Sequence, residues 1–179
     1  MTQILIKPFN QDVAAVLIAH FDRHKRESGV DGNYFMPFAP NDPEGPKGIS
    51  VVNARLPLSE PGWQRWFYAE DEATGRIIGH VNLKQDGLRA ALHRCELGIG
   101  IEAAYRGAGL GRQLMLTAIE FARAEPGLQW IDIRVFASNT RARRLYQSLG
   151  FVEIGEVKDR FRIDGVSISD VLMVLDLSE

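Results

Sequence analysis

Arg106-Gly107-Ala108-Gly109-Leu110-Gly111 stands between two runs of different periodicity. Before it, Cys95 to Ile101 reads as a strand. After it, Leu110, Leu114, Ala118 and Phe121 recur on one face of a helix-like run. Glycines at such a junction let the backbone bend tightly and bring its N–H groups close to a ligand. The helix behind them adds unpaired N-terminal N–H groups and the positive end of its dipole. Strand, glycine-rich turn and helix together make a site for phosphate groups; a plain tight connection is the competing reading. A P-loop is excluded, because Arg112-Gln113 follows Gly111 where Lys-Ser/Thr would be needed. The dinucleotide fingerprint fails too: single residues separate Gly107, Gly109 and Gly111, and the loop lies past the middle of the chain.

Upstream of the loop, Arg76 to Lys84 and Phe67 to Glu72 flank the turn Ala73-Thr74-Gly75, which predicts a hairpin. Trp63 to Phe67 is expected as a short helix running into that strand. Gln3 to Phe9 reads as an opening strand. Asp12 to Arg23 reads as a helix with Val13, Val16, Leu17 and His20 or Phe21 as its stripe. From Ser28 to Pro61 glycine and proline recur and periodicity lapses. A loop of that length inside one domain is more often functional than idle.

Downstream, Gly111 to Ala124 is expected as a helix and Gln129 to Phe136 as a strand. Asn139 to Leu149 reads as a helix with Ala142, Leu145, Tyr146 and Leu149 inward. Asp164-Gly165 is a strong hairpin turn joining Phe151–Arg162 to Val166–Leu177. The predicted order is β-α-α-β-β-β-α-β-α-β-β, a mixed α/β sheet in a single domain over 1–179.

Composition limits the function classes. The 179 residues are 45% apolar and 25% charged, far from a disordered composition. A net charge of −2 argues against nucleic acid as a partner. The single cysteine, Cys95, excludes an internal disulfide framework and reads as a small buried apolar residue. Met1 to Phe9 lacks the pattern of a signal peptide, and no apolar stretch reaches membrane-spanning length. The expected setting is cytoplasmic, with no membrane partner.

Arg106, Gly109 and Gly111 resemble the Gln/Arg-x-x-Gly-x-Gly/Ala motif of the GNAT superfamily of acetyl-CoA-dependent N-acetyltransferases. Asn139-Thr140-Arg141-Ala142-Arg143-Arg144-Leu145-Tyr146-Gln147-Ser148-Leu149-Gly150-Phe151 is similar to that family's Asn-x-x-Ala-x-x-x-Tyr-x-x-x-Gly-Phe segment. The resemblance covers residues 66 to 177. It implies a mostly antiparallel central sheet with helices on both faces, an acceptor-shaping region over about 10–66 and an acetyl-CoA-binding core over about 67–151. It implies acetyl-CoA as co-substrate, its pyrophosphate held by Arg106, Gly107, Ala108, Gly109, Leu110 and Gly111. The backbone of Ile99 and Ile101 would pair with the pantetheine arm. Asn139 would bind a pantetheine amide, and dimers are common in the family.

Direct acetyl transfer to a primary amine also needs a base and an acid. Glu96 is the candidate base, since Glu96, Gly98 and Gly100 share one strand face; a structural salt bridge is the competing reading. Glu70 and Asp71 are fallback candidates. Tyr146 is the candidate acid for the departing thiolate, against a plain core tyrosine. Asn139 also suits a helix cap. Arg144 is a candidate for a CoA phosphate, with a solvated face as the alternative.

His20 and His24 lack a third ligand at a convincing spacing and read as an exposed pair, so no metal is expected. His80 and His93 are isolated in sequence. Trp63, Trp66, Phe35 and Phe38 line an acceptor pocket or anchor the long loop. Asp31, Asp42, Glu44 and Glu60 would attract a cationic amine or serve solubility. The acceptor is expected to be a small molecule. A protein N-terminus or lysine, or a non-catalytic CoA-binding module, are the alternatives.

Overall fold

The computed structural model describes residues 3–30, 34, 37, 38 and 50–178. The alternating segments become β1 (Ile4–Pro8), β2 (Gln64–Asp71), β3 (Arg76–Lys84), β4 (Arg94–Ile101), β5 (Trp130–Phe136), β6 (Val152–Ile163) and β7 (Val166–Asp176). They form one sheet in the order β1-β2-β3-β4-β5-β7-β6. Every neighbouring pair is antiparallel except β4 with β5. The helices are α1 (Ala14–Arg26), α2 (Val51–Arg55), α3 (Leu110–Ala124) and α4 (Thr140–Gln147). The predicted order of elements and the mixed, mostly antiparallel sheet are both present.

One helix lies elsewhere than expected. Gln64 already belongs to β2, so Trp63 to Phe67 is not helical, and the second helix is Val51–Arg55 inside the glycine- and proline-rich region. Pairing from Gln64↔Lys84 to Phe67↔Val81 draws this aromatic-rich segment into the sheet, where such side chains fit well. Ser50 starts α2 by accepting the Asn53 N–H at 3.2 Å. The first helix also runs past Arg23 to Arg26, after a short 3₁₀ turn at Gln11–Val13. Asn10 caps that turn, accepting the N–H groups of Asp12 and Val13 at 2.9 and 3.3 Å. Asp31, Asp42, Glu44 and Phe35 lie outside the described residues.

A bulge in β3 decides which side chains reach which face. Ala69 pairs with Gly79 but Glu70 pairs with Ile77, leaving Ile78 as the extra residue. Ile77 packs with Leu17 and Phe21 of α1 and with Tyr68. Ile78 joins Val81, Leu83, Leu97, Ile131, Ile133 and the inner face of α3, from Leu110 to Ala122, in the main core. The helices therefore cover both faces. Beyond the bulge, His80, Asn82 and Lys84 point to the α1 side, opposite Gly100, Gly98 and Glu96 of β4.

The two parallel strands then separate. β4 and β5 pair only from Arg94↔Trp130 to Leu97↔Ile133. Past that point Gly98 to Ile101 stays with β3, while β5 continues along β7 as far as Phe136↔Asp170. The edge of β4 is left open from Gly98 onward.

Candidate active site

The opening between β4 and β5 leads to the glycine loop at the start of α3. Gly107 and Gly109 have φ of 95° and 87°, a region that side chains with a Cβ rarely adopt. Gly111 contributes in a different way, through close packing. A Cβ there would lie 3.3 Å from both Ile101 Cδ1 and Leu145 Cδ2, so glycine lets the helix start sit against β4 and α4. The helical ladder begins with Gln113 N–H donating to the Gly109 carbonyl at 3.2 Å. Among the described residues, the N–H groups from Gly107 to Arg112 have no partner within the chain, which leaves them for a ligand.

Arg106 ties this loop to its surroundings. Its Nε donates to the Ile101 carbonyl at 2.8 Å and its guanidinium pairs with Glu27 at 3.0 Å. Glu27, at the end of α1, also accepts the Ala103 N–H at 2.9 Å. The arginine therefore holds the strand end, the loop and α1 together. Another arginine comes closer to the glycines: Arg141 of α4 reaches within 3.3 Å of the position a Cβ on Gly107 would take. Arg141 and Arg112 line the cavity, whereas Arg144 is not among its lining residues.

The cavity has a volume of about 720 Å³ and takes in the loop, the gap between the strands, and parts of α1 and α4. Asn139 and Tyr146 both line it, as their spacing on one helix requires. Asn139 caps α4, its side-chain oxygen accepting the Ala142 N–H at 3.1 Å. Tyr146 is 5% exposed and packs against Phe151 at 6.1 Å between ring centroids. Burial pushes its phenol pKa up, which keeps the proton on the hydroxyl. Ile99 and Ile101 are partly buried, pack against the main core and also line the cavity beside the gap. Leu110 is a core residue, 3% exposed, and Ala108 is an exposed loop residue outside the cavity lining.

Glu96 lines the cavity, but its side chain is 41% exposed and pairs with Lys84 of β3 at 3.1 Å. The competing salt-bridge reading thus has its partner in Lys84, while the place of Glu96 in the lining keeps it a candidate base. Glu70 pairs with Lys7 at 2.8 Å, Asp71 accepts the Ala73 N–H at 3.0 Å in the adjoining turn, and neither reaches the cavity. Cys95 is buried, and burial pushes its thiol up to about 12.

The histidines depart furthest from expectation. His20, His24 and His80 are all buried rather than exposed or isolated. His20 Nδ1 lies 2.9 Å from Glu102 Oε1, and His20 Nε2 lies 2.9 Å from His80 Nδ1. Glu102 also accepts from Arg23 at 2.9 Å and from Arg76. Burial pushes the Glu102 carboxyl up, but the hydrogen bonds from His20, Arg76 and Arg23 outweigh it and hold the group below its usual range. Burial lowers His20, and burial together with the two neighbouring histidines lowers His80 well below the usual value. Burial brings His24 to about 4 despite its hydrogen bond to Glu27 at 3.1 Å.

The β4 glycines make room for this cluster. A Cβ on Gly100 would stand 2.5 Å from His80 Cε1 and 2.9 Å from His24 Cδ2, and one on Gly98 would stand 2.7 Å from Asn82 Oδ1. One signal for the cluster was present in the sequence: His20 and His24 share the stripe that carries Leu17 and Phe21. Among the described residues, no group of three or more His, Cys, Asp or Glu side chains is arranged to hold a metal ion.

The other walls are aromatic. Phe21, Tyr34, Trp66, Phe136 and Phe161 line the cavity, with Phe136 5.9 Å from Phe161 and 6.4 Å from Tyr34 between ring centroids. Asp170, 2% exposed, sits at this end and pairs with Arg134 at 2.8 Å. Trp63 lies in the main core instead, fully buried.

The model of the acetyltransferase (GNAT) family matches residues 35–151. N-alpha-acetyltransferase RimI of Mycobacterium tuberculosis is 29% identical over 98 residues, 55% of this chain and 60% of that protein. Spermidine N(1)-acetyltransferase of Vibrio cholerae is 33% identical over 103 residues, 57% of each. The match thus spans less than two thirds of the length of these relatives. A GNAT-family acetyltransferase of Streptococcus pneumoniae superimposes with a TM-score of 0.78 at 26% identity, over 97% of this chain and 99% of that one. YncA of Salmonella typhimurium, solved with its cofactor acetyl-CoA, shares the fold with a TM-score of 0.77 at 19% identity, over 99% and 96% of the two chains. Parting parallel strands, a glycine loop with unfilled N–H groups and a family model matched over well above half the sequence agree: this chain belongs to the GNAT family of acetyltransferases.

Proposed function

We propose that this protein transfers the acetyl group of acetyl-CoA directly to a primary amine, and that the amine is a small molecule. The observation that carries the reading is the gap past Leu97↔Ile133, which joins the unfilled N–H groups of the glycine loop to an aromatic-walled cavity. The pyrophosphate would sit on the N–H groups of Gly107 to Arg112, with Arg141 and Arg112 adding positive charge. The open backbone of β4 beside Ile99 and Ile101 would pair with the pantetheine arm as an added strand does. The Asn139 oxygen caps α4, so its NH₂ is the group left for the arm.

The thioester would thereby be placed between Tyr146 and the polar face of β3 and β4. The amine nitrogen forms a bond to the carbonyl carbon, the carbon–sulfur bond breaks, and the Tyr146 hydroxyl gives its proton to the thiolate. Glu96 stands on the same face as His80 and, as a solvated partner of Lys84, would accept a hydrogen bond from the incoming amine. Aromatic walls on both sides support a small acceptor over an extended peptide.

The test is a screen for CoA thiol release across polyamines, amino acids, aminoglycosides and short peptides. Saturable release with a small amine is expected. Preference for peptides would replace the small-molecule reading with a protein acetyltransferase. CoA binding without release for any amine would identify a binding module.

A further inference from the structure

Glu102, His20 and His80 form a line of hydrogen bonds from the end of β4, by way of the buried face of α1, to the cavity. Their partners assign the tautomers. A carboxylate only accepts, so His20 must carry its proton on Nδ1. Neutral His20 then accepts at Nε2, and the hydrogen between the rings belongs to His80 Nδ1. His80 is left with its lone pair on Nε2. Its ring lies over Gly100, and His80 is one of the cavity-lining residues. General-base chemistry uses a base oriented through its other nitrogen by a carboxylate; here that orientation is relayed, His80 Nδ1 meeting His20 and His20 meeting Glu102.

Resting on the transferase reading above, we propose that His80 is the general base of this reaction, with His20 and Glu102 as positioning residues. As the amine nitrogen attacks the thioester carbonyl, its N–H bond breaks and the proton goes to His80 Nε2. The resulting imidazolium donates from Nδ1 to His20, which in turn donates to the Glu102 carboxylate. With the proton that Tyr146 gives to sulfur, the site ends with His80 one proton richer and Tyr146 one proton poorer, and solvent exchange returns the proton from base to acid. The overall change is amine plus acetyl-CoA to amide plus CoA thiol.

Two opposing influences act on His80: burial disfavours its imidazolium, while the hydrogen-bonded relay through His20 to Glu102 favours it. Burial and the neighbouring histidines hold it neutral at pH values where an ordinary histidine would be charged. Among the described residues, the titratable and charged groups around it are His20, Arg23 and His24 of α1 and Glu27 at its end, Tyr68 of β2, Arg76 and Lys84 of its own strand, Glu96 of β4, and Glu102 and Arg106 beyond β4. Glu27 is met by Arg106 and the Ala103 N–H, and Glu96 by Lys84. The carboxylate hydrogen-bonded into the histidine pair is Glu102.

Three measurements test this assignment. Nitrogen-15 NMR of histidine-labelled protein, with only four histidines to assign, should show His20 and His80 neutral at pH 7 and protonated at Nδ1. A proton on His80 Nε2 would overturn the proposal without any activity measurement. His80→Gln should lower kcat about 100-fold or more for a strongly basic amine, and less for amines of lower pKa. The KM for acetyl-CoA should be unchanged. Glu102→Gln should move the acidic limb of the wild-type profile to lower pH by making His80 less basic. A loss in His80→Gln that is equal for all amines marks a packing role and overturns the proposal. So does a near-wild-type rate in His80→Gln with the large loss in Glu96→Gln. A wild-type protein that acetylates no amine is a different result: it sinks the transferase reading, and the base with it.

Discussion

Tyr146 meets two demands with one side chain. It fills the space beside Phe151 on the apolar stripe of α4, and it lines the cavity with a hydroxyl whose proton is retained because burial raises its pKa. Tyr146→Phe separates the two, since the ring is kept and only the oxygen is lost. The folded variant should bind CoA nearly as well as wild type and lose roughly a hundred-fold or more in turnover. A single-turnover assay reads this without interference from product release, and unchanged turnover would leave Tyr146 a packing residue. Its position and that of Asn139 were legible from their spacing. The roles of the arginines were not. Arg106 and Arg144 are both candidates for a CoA phosphate in the sequence, yet one bridges Ile101 and Glu27 and the other is absent from the cavity lining. A long flexible cation goes where the fold offers it an acceptor, and the neighbouring letters do not show that place.

At the scale of the element, β4 is the unusual strand. Glycine weakens a strand interior, so repeated glycine needs a reason. Here the side chains of Asn82, His80 and His24 occupy the space above Gly98 and Gly100. Gly100→Ala would place a methyl 2.5 Å from His80 Cε1 and 2.9 Å from His24 Cδ2, so the histidine pair must move. Overpacking of this kind costs about 1–3 kcal/mol. A lower melting temperature, a loss of turnover and a change in the His80 NMR signal are expected together. An alanine variant with all three unchanged would show that the rings have room to retreat. The strand itself was legible, because alternation and glycine are local signals. Trp63 to Phe67 departs from the expected helix for the complementary reason: the segment is ambiguous by itself, and pairing with β3 decides it.

For the whole molecule, burying three histidines and a glutamate links stability to pH. A histidine whose folded pKa lies below its unfolded value favours the native state above about pH 6.5, and that stability is lost as the pH falls toward the folded value. For His24, held at about 4, this amounts to roughly 3 kcal/mol across the window. Glu102, held below its usual range, adds stability that is present above its unfolded value of 4.5 and is lost at lower pH, in the same direction. The melting temperature should therefore be level above pH 7 and fall steadily from about 6.5 to 4. A level curve through that range would mean that the cluster is already charged in the folded protein. By itself the sequence determined the strand and helix order and the glycine loop, because period-two alternation, helical spacing and positive φ are properties of short segments. It could not pair His20 with Glu102 across 82 positions, or with His80 across 60. Those contacts depend on sheet register and on the extra residue at Ile78. A one-residue change in register exchanges the two faces of a strand; without that bulge His80 would face the apolar core beneath α3, and only the assembled sheet decides between the two.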